Sequence, residues 1–154
     1  NGEYETGGDW TTADDQMFSP GASVGTLTVD LGGAGNTLTL NTGAGMVVEI
    51  DSTGSDVLII DGDLDLTAAD NLLDLTRFPH PSSGGNPLAI IQTTGTILGE
   101  FDQFVSNGVP GLNTDLFRVE YTANQVLLHV PEPASAVLLG LGGLAMLRRR
   151  GRRM

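Results

Sequence analysis

The sequence predicts an all-β body followed by one hydrophobic helix at the C-terminus. Short segments rich in Val, Ile, Leu and Thr alternate apolar and polar residues, which is the pattern of half-buried strands. These segments recur roughly every ten residues, and most of the 22 glycines lie between them, where the chain must turn tightly. Such spacing is typical of a β-sandwich or of a β-solenoid, and the pattern alone leaves both open.

The predicted strands form two groups. A loop separates them, because residues 77–87 contain three prolines, two glycines and two serines. Residues 68–75 fit either a short helix capped by Thr67 or a further strand. Residues 121–125 are typical of a hairpin turn. The predicted strands cover residues 24–31, 36–40, 46–50, 56–60 and 63–66 before the loop, and 88–93, 99–105, 116–122 and 125–130 after it.

The last two dozen residues combine three features in a fixed order. Pro131, Glu132 and Pro133 end the final strand, because proline fixes φ and lacks the backbone N–H. The uncharged run 134–147 follows, and as a helix it would span roughly 21 Å of a hydrocarbon core about 30 Å thick, which predicts a short membrane anchor. A basic segment then holds this end in the cytoplasm. Its residues are Arg148, Arg149, Arg150, Arg152 and Arg153.

These residues resemble the PEP-CTERM sorting signal of Gram-negative bacteria with exopolysaccharide-rich envelopes. In that family a Pro-Glu-Pro motif precedes a transmembrane helix and an Arg-rich end, and an exosortase, a membrane cysteine transpeptidase-like enzyme, recognises the motif. The resemblance implies an exported protein, anchored in the inner membrane with its body outside the cytoplasm and then moved to the cell surface or extracellular matrix. An ordinary C-terminal tail anchor would explain the apolar run and the arginines but not the prolines.

The body resembles the autotransporter-associated β-strand modules that often precede such signals. The resemblance implies the end of a right-handed parallel β-solenoid, closed by an antiparallel β cap. It rests on residues 18–21, 25–29, 48–51, 56–62, 99–101, 119–121 and 126–130. The predicted segments are an N-terminal remnant of an upstream region at 1–23, solenoid-like strands at 24–76, the loop at 77–87, the antiparallel cap at 88–130 and the sorting signal at 131–154.

Composition agrees with export. The chain has no cysteine, which excludes disulfides and thiol chemistry. Residues 1–133 carry all 19 acidic side chains against Arg77 and Arg118, a net −17 that the five arginines of the tail bring to −12. Such an acidic surface excludes nucleic acid as a partner. Because the chain begins at Asn1 without a methionine or a signal peptide, we expect a longer precursor with a secretory signal.

No catalytic residue and no cofactor are predicted. Residues 21–25 satisfy G-x-S-x-G, but a nucleophile elbow needs a strand before Ser23 and a helix after it, whereas here a turn precedes and a strand follows. His80 and His129 are the two possible imidazole bases, and neither has the context of a triad. We expect His80 to be an exposed loop residue and His129 to be a strand-surface residue.

An acidic run is the first of two possible calcium sites. Asp61, Asp63 and Asp65 stand at the first, third and fifth positions of an EF-hand loop. However, Leu66 replaces the glycine of its sharp turn, and Leu72 replaces its bidentate glutamate. The match therefore fails.

The second is a glycine-rich segment, residues 32–38. It is similar to the calcium-binding nonapeptide repeat, yet Thr37 stands where that repeat has aspartate, and no second copy follows. We therefore predict no specific metal site. Asp51 and Asp56, together with the acidic run, are expected to bind cations loosely where successive turns stack.

Aromatic and acidic residues cluster near the N-terminus. The cluster fits either a sugar-binding surface or the core of an upstream coil, and we favour the core. Its members are Tyr4, Trp10 and Phe18 with Asp9, Asp14 and Asp15.

The sequence therefore predicts a non-enzymatic, exported structural protein of the envelope. Its stacked strands would form a rigid spacer or adhesive scaffold in the exopolysaccharide matrix. The expected partners are the exosortase and, transiently, the inner membrane, with exopolysaccharide as a candidate ligand. The alternative is the C-terminal part of a carbohydrate-binding or polysaccharide-degrading solenoid whose active site lies upstream of Asn1.

Overall fold

A computed structural model describes residues 2–21, 23–51, 54–77, 87–106, 109–110 and 118–129 of the chain. All regular secondary structure in these ranges is β-strand, and the strands form three sheets. The all-β prediction is therefore confirmed for the described residues. The predicted C-terminal helix lies outside them, as do most of the predicted loop and His80.

Twelve strands form four successive coils of three strands each. Coil 1 contains β1 (Gly2–Glu5), β2 (Trp10–Thr11) and β3 (Met17–Phe18), and coil 2 contains β4 (Thr26–Asp30), β5 (Thr37–Thr39) and β6 (Gly45–Ile50). Coil 3 contains β7 (Val57–Asp61), β8 (Asp63–Leu66) and β9 (Leu72–Arg77), and coil 4 contains β10 (Leu88–Thr93), β11 (Ile97–Gly99) and β12 (Gln103–Ser106).

Equivalent strands of successive coils pair in parallel and build three faces. Face A contains β1, β4, β7 and β10, face B contains β2, β5, β8 and β11, and face C contains β3, β6, β9 and β12. About three turns therefore separate β1 from β10. This pairing defines a β-solenoid and decides against the sandwich; its right-handed sense stays a prediction.

The core lies between the three faces and consists of columns of stacked aliphatic side chains. Along each inner strand the buried and half-buried positions alternate, as the period-two pattern requires. Full burial of one such side chain contributes about 1.5–3 kcal/mol. Representative fully buried pairs in coils 2 and 3 are Val29 and Ile60 on face A, Leu38 and Leu64 on face B, and Met46 and Leu73 on face C.

One corner, between faces B and C, repeats a left-handed backbone residue in three coils. Asp15, Gly43 and Asp70 have φ values of 57°, 70° and 63°. The N–H groups of Asp15 and Gly43 donate to backbone carbonyls of the next coil at 3.0 and 3.2 Å. The N–H of Asp70 donates instead to Oδ2 of Asp102 at 2.8 Å. At this corner, the Asp102 carboxylate of coil 4 therefore accepts the hydrogen bond that a backbone carbonyl accepts in the preceding coils.

An antiparallel cap completes the described fold. It consists of β13 (Val109–Pro110), β14 (Arg118–Tyr121) and β15 (Gln125–His129). β15 extends face A by pairing antiparallel with β10, and β14 pairs antiparallel with β15. β13 pairs antiparallel with β12. The structure therefore contains the predicted cap.

The boundaries differ from the predicted ones in several places. Residues 2–18 form coil 1. The sequence showed no strand pattern there, because β2 and β3 are only two residues long. β10 to β12 continue the parallel coils, so the first strand that lies outside the parallel coils is β13, later than the predicted residue 88. The predicted strand 99–105 is divided by a corner, where Gly99 has a φ of 79° and Phe101 is buried. Of the two alternatives for residues 68–75, the strand is correct from Leu72 onward.

Candidate functional site

The strand that leads into the sorting segment is held on both sides. Val126 and Leu128 of β15 are fully buried, while β10 and β14 flank the strand. The predicted sorting residues Pro131, Glu132 and Pro133, and the arginines that follow, lie outside the described residues. The described fold therefore extends to His129, and in the sequence Val130 alone separates this residue from the first proline.

The hairpin between β14 and β15 is fixed to coil 4 by its turn. The N–H of Thr122 donates to the carbonyl of Gln125 at 2.9 Å, and the N–H of Gln125 donates to Oγ1 of Thr122 at 3.0 Å. Coil 4 in turn donates its N–H groups at Thr93 and Ile97 to carbonyls of this turn, both at 2.9 Å. The predicted turn is confirmed, and it ties β15 to the solenoid.

A charged cluster lies at the end of β15. Nε2 of His129 is 2.8 Å from Oε2 of Glu120, and Nη2 of Arg118 is 2.8 Å from the same oxygen. All three side chains are partly or largely exposed, so this cluster stabilises the strand only modestly. His129 is a strand-surface residue, as predicted. Glu120 and Arg118 are not among the predicted site residues, although counting outward from the hairpin turn places Arg118 opposite His129.

Tyr121 anchors the inner side of β14. Its hydroxyl oxygen accepts a hydrogen bond from the N–H of Phe101 at 3.0 Å. Burial raises the pKa of Tyr121 to about 12, so the phenol stays protonated. This residue joins the cap to the corner between β11 and β12.

The carboxylates of the acidic run accept hydrogen bonds from other residues of the chain. Oδ1 of Asp61 accepts from the Thr94 hydroxyl at 2.8 Å, and Oδ1 of Asp63 accepts from the N–H of Thr96 at 2.5 Å. Asp65 accepts from the N–H and the hydroxyl of Thr67 at 2.8 and 2.6 Å. Alternate residues point outward because the run crosses from β7 into β8. These carboxylates therefore link turns and adjacent coils, and the run forms no EF-hand loop.

Asp56 has a structural role as well. It is fully buried, and its carboxylate accepts backbone N–H groups from Gly25 at 2.7 Å and from Glu49 at 2.9 Å. Burial raises its pKa, and the two hydrogen bonds partly oppose that shift. Asp51 accepts from the N–H of Gly54 at 3.1 Å. Within the described ranges, no group of three or more His, Asp or Glu side chains is arranged to hold a metal ion.

The glycine-rich segment forms a corner. Gly33 and Gly35 have φ values of 102° and 98°, and Nδ2 of Asn36 donates to the carbonyl of Leu31 at 2.7 Å. The N–H of Thr37 donates to Oδ1 of Asp9 in coil 1 at 2.8 Å. The segment thus turns the chain between faces A and B.

The segment after the serine of the G-x-S-x-G motif is a strand, as predicted. Ser23 lies in an exposed bend, and β4 follows it. A nucleophile elbow would need a helix at this point. The serine therefore lacks the geometry that gives such a residue its reactivity.

The N-terminal aromatic residues of coil 1 contact one another in a row that runs from exposed Tyr4 to buried Phe18. The ring centroids of Tyr4 and Trp10 are 5.7 Å apart, and those of Trp10 and Phe18 are 5.4 Å apart in an edge-to-face arrangement. Phe18 is buried, and Trp10 packs against the core. The core interpretation is confirmed for these two residues. Tyr4 is 53% exposed.

Comparison with known proteins adds one finding about the tail. The family model of the PEP-CTERM protein-sorting motif matches residues 129–153. No curated protein and no solved structure shows significant similarity to the chain. In the described residues, no helix is long and apolar enough to cross a membrane. The resemblance of the body to autotransporter-associated modules stays a prediction, whereas the motif supports exosortase-dependent sorting of an exported protein.

Proposed function

We propose that this chain is a non-enzymatic structural protein of the bacterial envelope, delivered to the cell surface by an exosortase. The observation that carries the proposal is the sorting motif at residues 129–153, which begins at the last residue of β15. The exosortase is the partner that this motif implies. The inner membrane is a second, transient partner, in which the tail anchors the protein.

The tail supplies each part that sorting requires. Pro131 and Pro133 interrupt strand geometry, so the Pro-Glu-Pro segment stays out of the sheet and accessible to an enzyme. The run 134–147 is apolar and uncharged, which is the composition that a membrane anchor needs. The terminal arginines remain on the cytoplasmic side, which leaves the solenoid outside.

The body acts as a rigid spacer or scaffold. Its support is the continuous aliphatic core through coils 2 and 3, together with turn carboxylates that accept hydrogen bonds from other parts of the body. Its acidic surface keeps it soluble in an anionic polysaccharide matrix. Exopolysaccharide is the matrix in which we place it.

The test is the double substitution Pro131→Ala and Pro133→Ala in a host that carries an exosortase. We expect the variant to accumulate uncleaved in the inner membrane, whereas the parent chain reaches the surface. Cell fractionation with mass spectrometry of the C-terminus reads both outcomes. Pro87→Ala is the matched control, because Pro87 is an exposed proline outside the motif. Release of the double variant at the parental level would overturn the sorting role of these prolines.

A further inference from the structure

The sorting motif and the folded body share one residue. The match to the family model begins at His129, and His129 is also the last residue of β15. In the sheet this residue lies opposite Arg118 of β14. The first residue of the motif is therefore part of a paired strand.

An enzyme that binds the motif at its beginning meets the body. A peptide is bound in a groove as an accessible, extended chain. While His129 stays in the sheet, β14 lies one strand spacing away, about 4.8 Å. In the sequence Pro131 follows two residues after His129, and two residues of extended chain span at most about 7 Å. An enzyme that holds the prolines therefore lies against the hairpin, and it can enclose His129 only after that residue leaves β14.

One carboxylate holds His129 on the hairpin. Oε2 of Glu120 is 2.8 Å from Nε2 of His129 and 2.8 Å from Nη2 of Arg118. Glu120 lies opposite Leu127, so its side chain reaches diagonally across the ladder to the end of β15. Arg118, at the end of β14, keeps the carboxylate in this position. The contact therefore joins the ends of the two strands.

His129 is the residue of β15 that can leave the sheet most easily. Among the described residues, the ladder between β10 and β15 ends at Leu128, so β14 is the strand that holds His129. Leu128 is fully buried, and its removal would expose an apolar side chain to water. The His129 side chain is 33% exposed, and strand ends open more readily than strand centres. The structure thus separates a detachable end from an anchored strand at one peptide bond.

We propose, on the basis of the proposed function, that Glu120 is a positioning residue for sorting. Its carboxylate holds His129 on β14, and the exosortase must detach His129 before it encloses the beginning of the motif. The charged cluster of Arg118, Glu120 and His129 therefore slows sorting. The folded body regulates the use of its own signal.

The first test measures cleavage of the full chain in membranes from a host that carries an exosortase. Glu120→Gln keeps the size of the side chain and removes its charge. We expect cleavage about two- to fivefold faster than for the parent, which corresponds to the loss of an exposed ion pair. Glu3→Gln, the same change at an exposed position of coil 1, is the matched control and should give the parental rate. Circular dichroism checks that each variant keeps the parental fold.

The second test frees His129 without changing the motif. An insertion of Gly-Ser-Gly-Ser between Leu128 and His129 leaves residues 129–154 intact and moves His129 away from Glu120. We expect this variant to be cleaved faster than the parent, and adding Glu120→Gln should increase its rate no further. If Glu120 only stabilised the fold, Glu120→Gln would change the rate by the same factor with and without the insertion.

Three outcomes overturn the inference while the proposed function stands, provided that the parent chain is cleaved and the Pro131→Ala, Pro133→Ala variant is not. They are a parental rate for Glu120→Gln, an equal factor with and without the insertion, and slower cleavage of the insertion variant. The last would show that the enzyme needs His129 on the sheet. A parent chain that stays uncleaved overturns the proposed function, and the role of Glu120 with it.

Discussion

Coils 1 and 3 have the same three-strand plan but different neighbours. Coil 3 lies between coils 2 and 4, and its inward residues Ile60, Leu64 and Leu73 are fully buried. In the described part of the chain, coil 1 pairs with coil 2 alone, and Tyr4 at the position equivalent to Ile60 is 53% exposed. On face A, this core position is therefore buried more fully where a neighbouring coil lies on each side.

The residue types follow the same division. Residues 19–77, which contain coils 2 and 3, include no aromatic side chain, whereas both ends of the described solenoid contain several. A ring covers more area than an aliphatic side chain, so it can shield a core that, among the described residues, has a neighbouring coil on one side only. These rings are Tyr4, Trp10 and Phe18 in coil 1, and Phe101, Phe104 and Tyr121 in coil 4 and the cap.

The largest expected effect is the difference in stability loss between a core substitution in coil 3 and one in coil 1. Leu64→Ala should lower the free energy of unfolding by about 2–5 kcal/mol, because it opens a cavity in a column that is closed on both sides. Trp10→Ala removes more atoms from the same column, yet we expect a smaller loss, since coil 1 can open locally. Urea denaturation measures both. An equal or greater loss for Trp10→Ala would show that coil 1 unfolds only with the rest.

The next effect concerns close approach between coils. Gly45 lies opposite Leu72, and a Cβ at position 45 would overlap the Leu72 carbonyl oxygen. Gly45→Ala should therefore cost about 1–3 kcal/mol, because backbone atoms must shift. Gly54→Ala is the matched control, since a Cβ there meets no atom within 4 Å. Thermal unfolding compares the two, and equal midpoints would contradict the close packing of β6 on β9.

The strands of coils 2 and 3 were predictable because apolar and polar residues alternate strongly in them. Each of these strands has a neighbouring coil on both sides and buries one row of its side chains in the core. β4, β5, β7 and β8 lie within the predicted ranges or differ from them by a single residue. β2 and β3 were missed because two residues cannot display a period of two. The corner between β11 and β12 was missed because buried Phe101 continues the apolar alternation through the turn.

The sorting motif was predictable for a different reason. Its signal is the order of proline, apolar and basic segments, which needs no tertiary contact to be recognised. The charged cluster around Glu120 depends on how the hairpin pairs, so composition alone did not indicate it. Likewise, the sequence predicted only loose cation binding by the acidic run, because the threonines of coil 4 that donate to Asp61 and Asp63 are more than 30 residues away and come close only through coil stacking.

The smallest expected effect tests burial on the outer surface of coil 3. Asp74 lies on face C in register with Val47 and Val105 on either side, and its Oδ1 is buried without a hydrogen-bond partner among the described residues. Burial raises the pKa of the Asp74 carboxyl above the ordinary 3.8. The folded state therefore holds this proton more tightly than the unfolded state, and stability falls as pH rises from 3.8 through the folded-state pKa.

Asp74→Asn should remove that decline and make the variant more stable than the parent at neutral pH, by less than about 1 kcal/mol because the group is partly exposed. Urea denaturation of both proteins across the acidic range measures the difference. Asp14→Asn, at an exposed corner of coil 1, is the matched control, because it makes the same change of side chain on the surface. If the Asp74→Asn profile also followed the parent, the valines on either side would not desolvate this carboxyl, and coil 3 would be as open to water on its outer surface as coil 1.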